Sequence, residues 1–276
     1  MIDAELQKKL RNKFNPDGSE MRQSQLKMLD ILNVVDEICR RNNIEYWIGS
    51  GTLIGAVRHG GFIPWDDDID IEILYSDRKR FIEACLRELP DKYKLQCNLT
   101  DNTYFLNILK VRELDSDIKE YAEWGNNRYL IKGKYNGYFI DIFTIEKTTR
   151  PIIWITRAVI RVAKIAQYKC KLSPNKLSVL NKIYNFIYSI LRLLVKLNPF
   201  TKYYYHSLGS WFMSRRVYSE IFPTTEIEFE GKLYKAPRDY DAYLRRIYGD
   251  YMTLPSEDKR LPLHNEDLLS SIDSNK

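Results

Sequence analysis

The chain has 276 residues, of which 44% are hydrophobic and 29% charged, with a net charge of +6. That length buries about three quarters of the unfolded surface, enough for a full core in one domain with an insertion or in two small domains. Four isolated cysteines, Cys39, Cys85, Cys97 and Cys170, lack C-x-x-C or Cys–His spacing, which argues against disulfides and zinc and for small buried thiols in a reducing compartment.

The N-terminus begins Met-Ile-Asp-Ala-Glu-Leu-Gln-Lys-Lys, with no apolar run before Leu26, and reads as neither a signal peptide nor an anchor. Ser19 caps a predicted helix running to about Arg41, with Leu26, Leu29, Leu32, Val35, Ile38 and Cys39 on one face. Tyr46–Ile48 reads as a short buried strand, and Gly49-Ser50-Gly51 as a turn into a helix that continues through Arg58. A strand carries the acids at 66, 68 and 70 and continues over 69–74. An amphipathic helix follows at 77–89, with Phe81, Ile82, Cys85 and Leu89 inward, ended by Pro90. Strand-like runs occupy 94–97, 104–112, 118–121 and 138–145, with Gly133 and Gly137 turning the chain before the last. Strands placed before and among helices predict an α+β fold with a mixed sheet. No internal repeat or low-complexity segment interrupts it.

Charge is unevenly spread. Fourteen Lys and Arg and no Asp or Glu lie from Lys147 to Arg216, which leaves 29 cations against 37 acids elsewhere, net −8. Arg150, Arg157, Arg161, Lys164 and Lys171 fall on one face of a helix, with Ile152, Ile155, Val159, Val162 and Ala166 on another. A second helix at 177–197 carries Leu180, Ile183, Tyr184, Ile187, Ile190, Leu191, Leu194 and Val195. Its longest uncharged run, 183–191, is nine residues, too short to span a bilayer. Such a pair suits the surface of an anionic membrane, an ordinary insertion packed on the core, or an anionic glycan polymer. Nucleic acid is not expected, because no recognition motif accompanies the charge.

The acids carry the chemistry. In a strand, Asp66, Asp68 and Asp70 share a face while Asp67, Ile69 and Ile71 point away. Stacked like charges shift one another's pKa unless a cation sits among them. Hard oxygen ligands without His or Cys suit Mg2+ or Mn2+, whose usual partner is a phosphate. The apolar frame of Phe62, Ile63 and Trp65 before them, and Ile69, Ile71, Ile73 and Leu74 after, counts against a solvated acidic loop. Gly49, Ser50 and Gly51 would place backbone N–H groups and a hydroxyl at a helix N-terminus, a natural seat for phosphate. Asp141 lies on the strand face of Phe139, Phe143 and Ile145, where a carboxylate is costly to bury unless paired or metal-bound. It reads as a third metal carboxylate or as a salt-bridged cap. Arg58 and His59 lie between the turn and the acids, placed for a phosphate, with His59 either a general acid or base or a structural histidine. Lys110 and Arg112 share a face of 104–112, as contacts to a donor diphosphate or as edge decoration.

The segment Gly51-Thr52-Leu53-Ile54-Gly55-Ala56-Val57-Arg58-His59, followed by Phe62-Ile63-Pro64-Trp65-Asp66-Asp67-Asp68-Ile69-Asp70, resembles the signature of the LicD/fukutin family. A second block is similar too: Pro237-Arg238-Asp239-Tyr240-Asp241, Leu244, Tyr248-Gly249-Asp250-Tyr251-Met252, Leu254-Pro255 and Arg260. Together they span roughly residues 20–265. The resemblance implies a nucleotidyltransferase-type mixed sheet of the DNA polymerase β kind, flanked by helices. Residues 1–147 would form that core, 148–220 a basic amphipathic helical insertion, and 221–276 a part completing the core. It implies transfer of a phospho-alcohol, phosphocholine first, from a CDP-alcohol donor to a glycan or lipid-linked glycan acceptor such as a teichoic acid, lipopolysaccharide or capsule precursor. Asp68 and Asp70 would hold one or two Mg2+ or Mn2+ ions, with two ions about 3.5–4 Å apart. Asp141 would complete the site from a separate Asp-Ile-Phe strand, and Asp66 or Asp141 would accept the sugar hydroxyl proton. Thr52 joins Gly49, Ser50, Gly51, Arg58, His59, Lys110 and Arg112 as a substrate-binding position.

Polymerase-type enzymes attack the nucleoside phosphorus and release pyrophosphate, whereas phosphocholine transfer attacks the distal phosphorus and releases CMP. The donor must therefore sit differently on the metals. Animal relatives carry an N-terminal anchor, and its absence here points to a bacterial-type cytoplasmic protein, peripheral at the inner membrane face. Two rivals stand beside this reading. One is a metal-dependent glycosyltransferase whose Asp-x-Asp binds a nucleotide-sugar; the other is a non-catalytic membrane- or glycan-binding relative. The Gly-Ser-Gly turn and the acidic third strand oppose the first, and intact Asp68, Asp70 and Asp141 oppose the second. Phosphoglycerol, phosphoribitol and phosphoethanolamine remain alternatives to phosphocholine.

Overall fold

The structure is a computed structural model that describes residues 1–101, 104, 106–124, 127–130, 134–165, 173–197, 201–210, 212–263, 265 and 268. Helix α2 (Glu20–Arg41) starts where the sequence places it, with the Ser19 hydroxyl accepting from Arg22 N at 3.2 Å. Its inward stripe runs through Met28, Ile31, Leu32, Val35, Ile38 and Cys39, whereas Leu26 is exposed. Leu26 sits at the edge of the apolar arc, where Ser24 and Gln25 turn inward instead. Helix α1 (Ala4–Phe14) buries only Leu10 and Phe14, too sparse a stripe for its period to announce it. Cys39, Cys85 and Cys97 are buried free thiols; Cys170 lies outside the described residues.

The principal sheet is mixed. It contains β1 (Tyr46–Ile48), β2 (Asp70–Leu74), β3 (Tyr93–Gln96), β4 (Leu109–Glu113) and β7 (Phe139–Lys147), in the order β1-β2-β7-β4-β3. Only β2 and β7 run parallel; the other neighbours are antiparallel. β8 (Tyr204–His206) takes over the edge of β7 beyond the point where β4 stops. β5 (Tyr121–Trp124) and β6 (Asn127–Leu130) form a separate hairpin. The run expected at 104–112 is a strand only from Leu109, and the one at 118–121 only from Tyr121, preceded by an isolated bridge of Glu120 to Asn265.

Helices α3 (Ser50–His59) and α4 (Arg78–Glu88) flank the sheet. The C-terminal hairpin of β9 (Thr225–Phe229) and β10 (Lys232–Ala236) follows α7 (Tyr218–Ile221) and precedes α8 (Tyr240–Tyr248). These elements add Ile221, Phe229, Tyr234, Tyr243, Leu244 and Tyr251 to the same apolar core as Ile71, Ile73, Ile140 and Ile142. Burying this apolar surface is the main favourable term in folding.

A second cluster joins α5 (Arg150–Lys164), α6 (Pro174–Lys196) and β8 through Ile153, Ala163, Tyr184, Tyr188, Leu191, Tyr205 and Leu208. The apolar face expected on α5 holds only in part. Ile153, Thr156, Ile160 and Ala163 go inward, and Ile152 and Val159 pack partly buried against the same cluster. Ile155 and Val162 stay exposed, and Ala166 lies outside the described residues. The helix is apolar on two sides, so its period alone cannot say which side meets the protein. Arg157 also departs from the expected cationic face, being partly buried with Nη1 against Met213 Sδ.

Several charged groups lie inside, and Glu72 is the most enclosed of those described. Glu72 of β2 is 0% exposed. It accepts from Trp47 Nε1 (2.9 Å), Arg216 Nε (3.0 Å) and the Tyr243 hydroxyl (2.8 Å), and His206 Nε2 lies 3.0 Å from Oε1. A second Arg216 nitrogen pairs with Oε1. Burial pushes the Glu72 carboxyl up, but Arg216 and His206 outweigh it and hold it well below the usual carboxylate range. A buried carboxylate so fully paired strongly penalises loss of any partner.

The cluster gives stability a pH dependence. Burial and the adjacent Arg216 push His206 down to about 4, whereas an unfolded histidine takes its proton near 6.5. Between those values the unfolded chain binds more protons, so stability falls as pH drops through the window, by about 3 kcal/mol from this residue. Glu72 acts in the same direction: its contribution is present above the ordinary carboxylate pKa and is lost below it. Urea denaturation between pH 7 and 4.5 should show the decline, and His206→Gln should make it shallower, leaving the part that buried His59 contributes. Equal slopes in both proteins would contradict the assignment.

Candidate active site

Parallel pairing of β2 and β7 sets Asp70 directly opposite Asp141, and Lys110 on β4 lies opposite Asp141 on the other side. Cross-strand partners share a face about 5 Å apart, so Asp70, Asp141 and Lys110 form one row across three strands. Lys110 Nζ lies 2.6 Å from Asp141 Oδ1, 3.2 Å from Glu120 Oε1 and 3.5 Å from the centre of the Phe139 ring. Burial raises the proton affinity of Asp141, Lys110 restrains that rise, and the charges of Glu120 and Asp68 add to it. Asp68 therefore lies within electrostatic reach of the row.

The start of α3 is laced to the same place. The Asp70 amide donates to Thr52 Oγ1 at 2.8 Å, and the Gly49 amide to the Asp70 carbonyl at 3.0 Å. Ser50 has φ of 45°, in the left-handed region that non-glycine residues avoid. A Cβ on Gly51 would stand 2.6 Å from Asp66 Oδ2, so only glycine lets that carboxylate approach. Tyr248, at the end of α8, hydrogen-bonds with Ser50 and senses the charge of Asp70, which brings the C-terminal sequence block back to this loop.

The shared strand face expected for Asp66, Asp68 and Asp70 is corrected. β2 begins at Asp70; residues 66–69 form a non-strand segment after a turn at 64–65. Asp67, expected to point away, is buried and accepts from the backbone N–H groups of Leu263 (3.0 Å) and Asn265 (2.7 Å). That anchor holds the segment out of the ladder. Asp66 lies against Gly51 and not in the Asp70–Asp141 row.

Other sequence candidates are engaged inside the protein. Arg58 is buried, with Nη1 donating to the Tyr251 carbonyl (2.6 Å) and Nε 2.9 Å from His59 Nε2, while His59 Nδ1 is 2.6 Å from Gln7 Oε1. Burial pushes Arg58 down to about 10 and His59 down to about 3. Arg112 is fully enclosed, with Nε donating to Gln96 Oε1 (2.6 Å), Nη1 to the Gly137 carbonyl (3.0 Å) and Nη2 paired with Glu120. Burial pushes the Glu120 carboxyl up, but Lys110 and Arg112 outweigh it and bring it to about 2. Lys110 and Arg112 thus share one carboxylate instead of decorating an edge.

Sequence reasoning missed Glu120, Glu72, His206, Arg216 and Tyr248. Glu72 left a signal, since it continues the Asp68–Asp70 alternation, and Tyr248 stood in the C-terminal block that resembles the family.

Among the described residues, no group of three or more His, Cys, Asp or Glu is arranged to hold a metal ion. The donor chemistry nevertheless fits a hard divalent cation: every candidate ligand is a carboxylate, and the charges of Glu120 and Asp68 add to the burial that raises Asp141, a repulsion that a cation would relieve. A large open cavity of about 1090 Å³ lies elsewhere, at the other ends of β2 and β7, bounded by Tyr75, Lys79, Glu146, Arg192, Lys196 and Tyr204.

Fold and site define a mixed α+β protein whose sheet carries an acidic row beside the start of a helix. Residues 43–163, from just before β1 into α5, match the model of the LicD/FKTN/FKRP family, described as a nucleotidyltransferase domain. The lipopolysaccharide cholinephosphotransferase LicD of Haemophilus influenzae is 27% identical over 267 residues, covering 88% of this chain and 96% of that protein. Human ribitol 5-phosphate transferase FKRP is 50% identical over 34 residues, 12% of this chain and 7% of that protein. The solved structure of ANT(2")-Ia in complex with adenylyl-2"-tobramycin is 16% identical with a TM-score of 0.25, covering 59% of this chain and 99% of its own, a likeness too slight to bear on the fold.

Lys110 as the counter-charge of Asp141 is testable by a double-mutant cycle. Lys110→Met should cost about 3–5 kcal/mol by leaving buried carboxylates unpaired. Combined with Asp141→Asn it should cost at least ~1 kcal/mol less than the sum of the single variants. Strict additivity in chemical denaturation would show that the pair does not interact.

Proposed function

We propose that the chain is a phosphotransferase that moves a phospho-alcohol, phosphocholine first, from a CDP-linked donor to a hydroxyl of a cell-envelope glycan. The observation that carries the reading is the Asp70–Asp141–Lys110 row beside the Gly49–Thr52 loop, inside the segment that matches the LicD family. The alignment with nearly the whole of a lipopolysaccharide cholinephosphotransferase supports the substrate class. On this reading the sheet is of nucleotidyltransferase type, 148–220 is an insertion, and 221–276 completes the core.

Asp68 and Asp70 would hold Mg2+ or Mn2+, with Asp141 as the third carboxylate. When bound, such an ion neutralises phosphate charge and polarises the phosphorus under attack. The helix start at Ser50–Thr52 offers N–H groups to the donor diphosphate, and Tyr248 closes the loop from the other side. The acceptor hydroxyl oxygen bonds to the distal phosphorus of the CDP-alcohol. The bond from that phosphorus to the bridging oxygen breaks, CMP departs with the electron pair, and the hydroxyl proton passes to the Asp141 carboxylate. Burial raises the proton affinity of Asp141, which suits it to accept the proton, and Lys110 opposes that rise.

The test follows CMP release from a panel of CDP-alcohols with a glycan acceptor. CDP-choline should be turned over, and EDTA should abolish the reaction. Asp141→Asn should lower kcat at least ~100-fold per folded molecule, the scale of a lost proton acceptor. Full activity in EDTA or in Asp141→Asn would overturn the assignment, and turnover of a nucleotide-sugar with no CDP-alcohol turned over would favour the glycosyltransferase.

A further inference from the structure

Helices α5 and α6 each turn a second apolar stripe outward. On α6, Val179, Ile183, Phe186, Ile190, Leu193 and Leu197 (its C-cap) recur every three or four residues, each 46–72% exposed. On α5, Trp154, Ile155 and Val162 are 49–65% exposed. Scattered exposed apolar residues need no explanation, but stripes on two packed helices do. The cations lie alongside: Arg161, Lys176, Lys182 and Lys196 are exposed, and no Asp or Glu occurs from 147 to 216.

This charge pattern selects the occupant. A second copy seated on the same faces would bring Lys and Arg against Lys and Arg, with no acid in the segment to pair them. Helical pairs with such an apolar spacing normally carry both signs at the flanks. An anionic bilayer satisfies both features, taking the apolar side chains into the headgroup boundary and the cations onto the lipid charges. No helix among the described residues is long and apolar enough to cross a membrane, so the pair would lie in the interface plane. We propose that the outward faces of α5 and α6 are a docking surface for an anionic lipid bilayer. The surface is independent of the transfer chemistry, since it shares no residue with the carboxylate row. The face expected from sequence, with Arg157, Arg161 and Lys164 acting together, is not the one presented. Arg157 and Lys164 are partly buried.

The experiment uses the full chain with vesicles of phosphatidylcholine alone and with a quarter phosphatidylglycerol. Binding should require the anionic lipid and weaken with salt. Phe186→Glu/Leu193→Glu should weaken partitioning at least ~10-fold. Lys182→Gln/Lys196→Gln should weaken it by roughly five-fold per cation removed. These side chains are exposed, so thermal melts should stay unchanged. As a readout that needs no destabilising variant, brominated lipid should quench wild-type fluorescence, and conservative Trp154→Phe should lose that quenching. Equal binding to both vesicles, no binding at low salt, or a dimer that Phe186→Glu dissociates would overturn the proposal.

Discussion

The parallel pairing of β2 with β7 is the constraint on which the rest of the molecule depends. It forces Asp70 and Asp141, distant in sequence, into one cross-strand pair, and the same register places Glu72 beside Phe143 two residues further along. Carboxylates brought together in a sheet interior repel unless something else is supplied. The protein answers differently at the two positions. At Glu72 it supplies a full set of partners, and the carboxyl falls below its ordinary range. At Asp141 it supplies Lys110, but burial and the neighbouring acids still leave the proton affinity raised. A carboxylate that is satisfied holds structure together; one raised chiefly by burial, with neighbouring acids adding to it, is a candidate functional group.

Glu72 is also what ties distant chain segments to the candidate site. Through it Trp47 on β1, His206 on β8, Arg216 and Tyr243 on α8 all grip β2. Glu146, on the same central strand β7, performs the matching task for the helical pair. It pairs with Arg192 of α6 at 2.8 and 3.0 Å and accepts from the Leu208 amide at 2.8 Å. Arg192 in turn lies over the Tyr75 ring at 3.9 Å. The helices that turn apolar stripes outward are thus fastened to the strand that carries Asp141, so their orientation and that of the carboxylate row are set together.

Much of this was legible in the sequence where information is local. The Ser19 cap, the β1 strand and the entry into α3 are written in short patterns of apolar period and turn residues, and the structure places them as expected. A place on an aromatic strand face and the family resemblance mark Asp141 as a candidate, but the register that sets it opposite Asp70 is not readable from sequence. What could not be read depends on partners far away. Arg216 and Tyr243 lie 144 and 171 residues from the Glu72 they hold. Glu120, which draws Lys110 and Arg112 into an internal network, lies in the run expected as a strand at 118–121, whose pattern does not announce its partners. The expectation for α5 held only in part for another reason: two apolar stripes compete on one helix, and only packing against Tyr205 and Leu208 decides between them.

The central claim is that the carboxylate row is a seat for a divalent cation, and Mn2+ binding followed by electron paramagnetic resonance tests it without any assumption about substrate. The account predicts saturable binding to the wild-type chain, tightened by CDP-choline and lost in Asp70→Asn, with the fold unchanged by circular dichroism. Undiminished binding in Asp70→Asn, or none in the wild type even with CDP-choline present, would contradict it.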